Sequence, residues 1–423
     1  MDRLRIVGGR RLAGTIRIGG AKNASLPAMA ASLLTDETVH LANLPDVWDV
    51  GTMRRLLLRL GTSVTQPSLH EISLTTGTLS SHEASYELVK TMRASLLVLG
   101  PLLARHGRAH VSLPGGCAIG ARPIDQHIRG LEKLGAHINL DHGFVDAKTD
   151  GDGLTGATIH FDNVTVGGTE NLMMAACLAR GETVLENCAR EPEIVDLAEL
   201  LTGMGATIEG AGTARIRIDG VARLGGTTHS IQPDRIEAAT YLIAGALTGD
   251  DVELRDCRPE HLGALCHALR DIGVAIEIGE IGDGSIRVQG ADGDLHALDI
   301  ETAPYPGFAT DMQAQLMVLL TQARGESRIT ETIFENRFMH VAELSRMGAR
   351  IALHGNHATV AGPTPLSAAN VMATDLRASA CLVLAGLVAE GETIIDRVYH
   401  LDRGYEHIEE KLQGLGAEVE RVV

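Results

Sequence analysis

The sequence predicts an α/β protein of two domains, each built from three related units with helices inside and sheets outside. Three regularities predict it. A helix end and its following strand recur six times, at Leu57-Leu-Arg-Leu60-Gly61, Leu131-Glu-Lys-Leu134-Gly135, Leu201-Thr-Gly-Met204-Gly205, Leu269-Arg-Asp-Ile272-Gly273, Leu344-Ser-Arg-Met347-Gly348 and Leu412-Gln-Gly-Leu415-Gly416. These glycines lie 74, 70, 68, 75 and 68 residues apart, each just after the last apolar helix position, where a left-handed cap is wanted. A polar turn opening a β-rich strand runs between them, at Asp36-Glu-Thr-Val, Gly181-Glu-Thr-Val, Gly249-Asp-Asp-Val, Gly325-Glu-Ser-Arg-Ile and Gly391-Glu-Thr-Ile-Ile. Six helix openings, at positions 22, 93, 169, 235, 311 and 377, are 71, 76, 66, 76 and 66 residues apart.

Each unit therefore reads helix, strand, loop, helix, strand, strand, a period too long for the common solenoids. Three units per domain put the split near residues 228–233. Residues 22–230 form one domain, and residues 1–21 with 231–423 form the other. The N-terminal strand, residues 3–20, is left to complete the last sheet of the second domain.

A chain of 423 residues is too long for one ordinary core, and 44% apolar with 22% charged residues fits a globular enzyme. Aromatics at 3% leave few stacking platforms, and a net charge of −17 repels nucleic acid. The N-terminus lacks a signal-peptide pattern, and the longest apolar stretch, Ala378 to Ala389, is shorter than a membrane span. Six cysteines without a C-x-x-C pair or zinc-ligand spacing argue for a reduced cytoplasmic protein with no disulfide, metal or cofactor. Cys177, Cys266 and Cys381 fall in helix-like apolar patterns and read as core.

The helix openings carry the first chemical signal. They begin Lys22-Asn23, Arg93-Ala, Thr169-Glu, Arg235-Ile, Asp311-Met and Arg377-Ala. Pseudo-threefold packing makes such starts converge, and converging helix N-termini attract anions. A cation there opposes the helix dipole, at a cost of a few tenths to about 1 kcal/mol each, which a bound phosphate or carboxylate offsets. Thr310 and Thr374 or Asp375 are the expected N-caps. Arg93, Arg235 and Arg377 alternatively pair with Glu237, Asp234 or Asp375, and His127, His340 and His400 read as structural. Gly151-Asp-Gly153-Leu-Thr-Gly156 matches a dinucleotide string, but a strand-like Ala157-Thr-Ile-His-Phe161 follows where a helix is needed.

The second signal is Leu113-Pro-Gly-Gly-Cys117-Ala-Ile-Gly-Ala-Arg122-Pro123, a thiol in a glycine-rich segment five residues from a guanidinium. Glycines permit close backbone approach to a ligand, and Arg122 is suited to hold an anion beside the sulfur. The segment connects a strand to a helix and reads as a lid over the anion site.

With Gly19-Gly-Ala-Lys22-Asn23-Ala, the Cys117 loop, Ala189-Arg-Glu-Pro-Glu-Ile-Val-Asp196, Thr310-Asp311-Met-Gln-Ala-Gln, Glu335-Asn-Arg-Phe-Met-His340, Thr374-Asp375-Leu-Arg377 and Asp402-Arg403-Gly-Tyr-Glu406, the chain resembles the UDP-N-acetylglucosamine 1-carboxyvinyltransferase family. The match runs in order along essentially the whole chain. The resemblance implies two inside-out α/β domains closing over a cleft. It implies transfer of the enolpyruvyl group of phosphoenolpyruvate to the 3′-hydroxyl of UDP-N-acetylglucosamine, the first committed step towards peptidoglycan. By the same resemblance Cys117 is the active-site thiol and the target of fosfomycin, and Asp311 is the base for the sugar hydroxyl. Lys22, Arg122 and Arg403 hold phosphoenolpyruvate, with Arg377 near its anionic groups. Asn23, Arg93, Arg122, Pro123, Ile124, Asp125, Gln126, Asn163, Val164, Thr165, Val166, Asp311 and Ile333 match the nucleotide-sugar contacts. Asn163 stands where many relatives have lysine, and Leu97 where some have tryptophan. Competing readings are an enolpyruvyl transferase acting on shikimate 3-phosphate, which lacks the cysteine loop, one acting on another uridine nucleotide, and a non-catalytic UDP-sugar-binding regulator.

Overall fold

The computed structural model describes residues 2–90, 92–113, 124–280, 282–290 and 294–422. Cys117, Arg122 and Pro123 lie outside the described residues. The chain divides into two compact units, an N-terminal unit of residues 20–113 with 124–232 and a C-terminal unit of residues 2–19 with 233–422.

All six marker glycines are left-handed, with φ between +92° and +109°. Each helix before them therefore ends where the sequence places its stop, and the chain turns directly into a strand. The repeated unit is helix, strand, helix, strand, strand, as in Lys22–Ala31, Thr38–Ala42, Trp48–Leu60, Ser63–Ser68 and Glu71–Thr75.

Two kinds of helix alternate. The first helix of each repeat is buried nearly all round: 11 of the 13 residues of Leu376–Val388 are buried, as are nine of the 11 in Val166–Ala176. A helix without a polar face belongs inside, and these helices pack on one another within each unit. The second helix, as in Trp48–Leu60 and Gly263–Ile272, buries one stripe and leaves the other face wet. Each unit has its own hydrophobic core.

The described residues form six four-stranded sheets. Each pairs one parallel strand with an antiparallel set of three, as in Thr227–Ser230, Thr38–Ala42, Glu71–Thr75 and Ser63–Ser68. The edge strand comes from elsewhere in the chain, so neighbouring repeats are stitched together. The N-terminal segment corrects the expectation that residues 3–20 complete one sheet. Arg3–Val7 does lie in the last sheet, between Glu392–Asp396 and Glu418–Val422. Leu12–Arg17 instead pairs in parallel with Gly249–Arg255 in a different sheet. Gly8 and Gly9 donate backbone hydrogen bonds to Gly391 and Leu387, closing the first strand before the chain moves to the second.

Candidate active site

In the N-terminal unit, Lys22 opens the helix Lys22–Ala31, which has no side-chain cap and no acid in its first turn. Its ammonium lies 3.2 Å from Asp49 Oδ2, with the two side chains 10% and 5% exposed. Asp49 belongs to the first turn of Trp48–Leu60, where a carboxylate also suits the helix dipole. Asp49 was not singled out from sequence; the signal available was an acid at a helix start within one repeat of Lys22. Asn23 sits beside Lys22, half-buried.

Arg93 begins the 3-10 turn Arg93–Val98, which runs into the helix Leu99–His106. Its charge acts on His127. Burial first, then Arg93, push the His127 imidazole down to about 4, while Asp125 works the other way. Asn171 fixes the ring: Gly100 N–H donates to Asn171 Oδ1 (2.7 Å), so the amide nitrogen faces His127 Nδ1 at 3.0 Å. Nδ1 accepts, and the neutral ring carries its proton on Nε2. His127 is thus a buried, neutral ring held by Asn171.

Residues 124–129 and 162–166 form one ledge. Ile124 precedes the helix Asp125–Lys133. Gln126 Nε2 donates to the Asn163 carbonyl (3.0 Å), and Asn163 N–H donates back to Gln126 Oε1 (3.2 Å). Thr165 caps the helix Val166–Ala176 by accepting from Gly168 N–H, while Val164 is exposed. Arg129 ties this ledge together, pairing with Asp125 and with Asp162, the latter at 2.6 Å. Thr169, expected at a helix opening, is the fourth residue of its helix. Behind the ledge, burial and then Glu193 and Glu191 hold the Glu170 carboxyl well above the usual carboxylate range.

In the C-terminal unit, Asp311 lies on the one-turn 3-10 helix Thr310–Met312 that leads into Gln313–Gln322. Thr310 is not the cap expected. Its hydroxyl donates to Glu331 (2.8 Å), and Ala309 occupies the cap position without a side-chain bond. Asp375 is a cap: one carboxylate oxygen accepts from Arg377 N–H at 2.8 Å and Ala378 N–H at 3.0 Å. That bond fixes the start of Leu376–Val388 and with it the Arg377 side chain.

Asp311 gathers two buried guanidiniums. Arg337 Nη2 lies 2.6 Å from Asp311 Oδ1, and Arg377 Nε 3.8 Å from Oδ2. Burial works against the charge of Arg377, yet Tyr405 and Asp311 hold its pKa above the ordinary arginine value. Its guanidinium lies over the Tyr405 ring, 5.4 Å from the centroid, and Tyr405 OH is 2.9 Å from Thr240 Oγ1. Arg377 thus pairs with Asp311, in place of the Asp375 ion pair its neighbours allow. Arg337 was not assigned a role from sequence, although it sits inside Glu335-Asn-Arg337-Phe-Met-His340.

Ile333 is held by its backbone. Its N–H donates to Glu331 Oε1 at 2.8 Å, and the same carboxylate takes Thr302 Oγ1 at 2.9 Å. Arg403 ends the 3-10 helix Val398–Arg403 and lies close enough to His400 to help depress its pKa, after burial. Among the described residues no group of three or more His, Cys, Asp or Glu is placed to hold a metal ion, and no helix is long and apolar enough to cross a membrane.

Comparisons with known proteins give the class, an enolpyruvyl transferase. The sequence model of EPSP synthase (3-phosphoshikimate 1-carboxyvinyltransferase) matches residues 6–412. The enolpyruvyl transferase NikO from Streptomyces tendae superposes with a TM-score of 0.89 at 25% identity, covering 100% of this chain and 99% of that one. EPSP synthase from Acinetobacter baumannii, at 19% identity, TM-score 0.77 and full coverage of both chains, shares the fold. Much nearer in sequence are the UDP-N-acetylglucosamine 1-carboxyvinyltransferases of Solibacter usitatus, 60% identical over 100% of both chains, and of Acidobacterium capsulatum, 58% identical over 100% of this chain and 96% of the relative. The chain belongs to the UDP-N-acetylglucosamine 1-carboxyvinyltransferase family.

Proposed function

We propose that this chain transfers the enolpyruvyl group of phosphoenolpyruvate to the 3′-hydroxyl of UDP-N-acetylglucosamine, releasing phosphate, in the cytoplasm and as the first committed step of peptidoglycan synthesis. The observation that carries this reading is identity of about 60% along the whole length to proteins of that name, on a chain that keeps every residue type the chemistry needs.

The reaction proceeds by addition and elimination. The methylene carbon of phosphoenolpyruvate takes a proton from an acid, with Cys117 the candidate donor. The sugar oxygen bonds to C2 as its proton passes to Asp311. The methyl group then returns a proton to the Cys117 thiolate left by the first step, the C2–O bond to phosphate breaks, and inorganic phosphate leaves. Lys22, Arg122, Arg377 and Arg403 bind the anion and stabilise charge on the departing phosphate. Asn23, Arg93, residues 124–126 and 163–166, and Ile333 hold the nucleotide sugar. Lys22 and Arg377 each stand beside a carboxylate, Asp49 and Asp311, which holds these cations in place before the anion arrives.

The reading further assigns Cys117 as the site of alkylation by fosfomycin: the thiolate opens the epoxide, forming a C–S bond, and the ring oxygen takes the proton. The test is turnover of the two substrates with the product identified by mass. A nucleotide sugar that gains the enolpyruvyl group supports the proposal, and an unchanged nucleotide sugar sinks it.

A further inference from the structure

Glu331 is a buried carboxylate, 3% exposed, that gathers four hydrogen-bond donors. Its Oε1 accepts from Thr302 Oγ1 at 2.9 Å, Ile333 N–H at 2.8 Å and Phe334 N–H at 3.2 Å. Its Oε2 accepts from Thr310 Oγ1 at 2.8 Å. The residue itself is anchored just past the strand Gly325–Thr330. Its N–H donates to the Asn356 carbonyl at 2.8 Å, and Asn356 Nδ2 donates to the Glu331 carbonyl at 3.3 Å. Thr302 is fixed in turn, since its hydroxyl accepts from Thr332 N–H at 2.9 Å.

These contacts join two segments that have little else to hold them. One is residues 331–334, outside any helix or strand. The other is the one-turn 3-10 helix Thr310–Met312, which has no side-chain cap. Irregular segments open locally at small cost, yet a misplacement of about 1 Å near a reacting group costs about 100-fold in rate. The two backbone N–H groups only donate, so Oε1 must accept. The carboxylate therefore sets the distance between the Ile333 backbone and Thr310, the neighbour of Asp311. Removing it leaves buried donors unsatisfied on both segments.

We propose that Glu331 is a positioning residue for the acceptor sugar. Through one oxygen it sets the Ile333 backbone that meets the nucleotide sugar, and through the other it sets the turn that carries Asp311. This rests on the reading above, in which Ile333 contacts UDP-N-acetylglucosamine and Asp311 takes the hydroxyl proton. Glu331 acts through those two residues and touches neither substrate.

The test is steady-state phosphate release from phosphoenolpyruvate and UDP-N-acetylglucosamine, with calorimetric binding of UDP-N-acetylglucosamine and a thermal melt. The proteins are the wild type, Glu331→Ala, Glu331→Gln, Thr310→Val and the double variant Glu331→Ala/Thr310→Val. Glu331→Ala is expected to weaken UDP-N-acetylglucosamine binding about tenfold and to lower kcat about 100-fold. Its KM for phosphoenolpyruvate stays within about threefold of the wild type. Glu331→Gln recovers most of both losses, because its amide oxygen takes the N–H groups and its amide nitrogen donates to the Thr310 hydroxyl. Thr310→Val breaks only the arm to the Asp311 turn, so kcat falls about tenfold while UDP-N-acetylglucosamine binding holds. In the Glu331→Ala background it costs nothing further, because that arm is already gone.

A Glu331→Ala protein that melts earlier yet keeps kcat and both KM values would make the residue merely structural and overturn the proposal. So would equal losses in Glu331→Gln and Glu331→Ala, which would assign the effect to charge, or losses that multiply in the double variant. If Glu331→Ala does not fold, Thr310→Val decides: a lower kcat at unchanged binding supports the proposal, and an unchanged kcat overturns it. A wild type that releases no phosphate overturns the reaction and this proposal with it, an outcome distinct from an active wild type whose variants keep its constants.

Discussion

Lys22 and Asp49 form a buried ion pair, Nζ to Oδ2 3.2 Å, between the first turns of two helices of one repeat. Removing one partner of such a pair leaves a charge without its counterion in a dry place, which costs far more than an exposed pair is worth. Asp49→Asn is therefore expected to lower stability by about 3 kcal/mol. Inorganic phosphate should raise the melting temperature of the variant more than that of the wild type, because an anion beside Lys22 then replaces the missing carboxylate. Equal phosphate shifts in both proteins would show that Lys22 does not face the anion.

Two buried histidines set a pH dependence. Burial pushes both His127 and His340 down to about 4 from the ordinary 6.5. The unfolded chain takes up their protons as pH falls below about 6.5, while the native protein does not until near 4. Their stabilising effect is thus full above 6.5 and is lost between 6.5 and 4, by about 1.4 kcal/mol per pH unit for each ring. His340→Gln should lose less stability than the wild type between pH 7 and pH 5, measured by urea midpoints. Parallel pH dependences would contradict this.

Much of the architecture was legible because it is written six times. The marker glycines 61, 135, 205, 273, 348 and 416 all took the left-handed conformation their positions required. The openings at Lys22, Arg235 and Arg377 all fell within two residues of a buried helix start. The fourth strand of each sheet was not legible. Segments such as Glu83–Ala84 and Ile300–Glu301 are two residues long, too short to carry an alternating pattern, and they pair only because a distant strand offers an open edge. The division of residues 3–20 between two sheets was hidden by distance: Arg3–Val7 and Leu12–Arg17 are long enough to read as strands, but the sheet each joins is set by partners more than 200 residues away. Arg337 and Asp49 were missed for a similar reason: each pairs with a partner distant in sequence, Asp311 or Lys22, and no local spacing marks such pairs.

Five cysteines are predicted to be silent in the folded protein. Burial pushes the thiols of Cys177 and Cys188 up to about 12 and that of Cys257 to about 11, and raises those of Cys266 and Cys381 as well. Thiolate is the reactive form. At pH 8 a thiol reagent should label one cysteine of the six, Cys117, and pretreatment with fosfomycin should abolish that labelling. Rapid labelling of a second cysteine, or none blocked by fosfomycin, would contradict the assignment.

Asp375 should reveal itself as a cap. Its carboxylate accepts from two backbone N–H groups at the start of Leu376–Val388. Asp375→Ala is expected to cost about 1–2 kcal/mol, and Asp375→Asn much less, since asparagine caps nearly as well. Equal losses in thermal melts would assign the stabilisation to charge and not to capping.

The central claim is tested most directly by phosphate release from phosphoenolpyruvate with each acceptor supplied separately. The account predicts release with UDP-N-acetylglucosamine and none with shikimate 3-phosphate or without an acceptor. Release with shikimate 3-phosphate, or binding of UDP-N-acetylglucosamine without turnover, would contradict it.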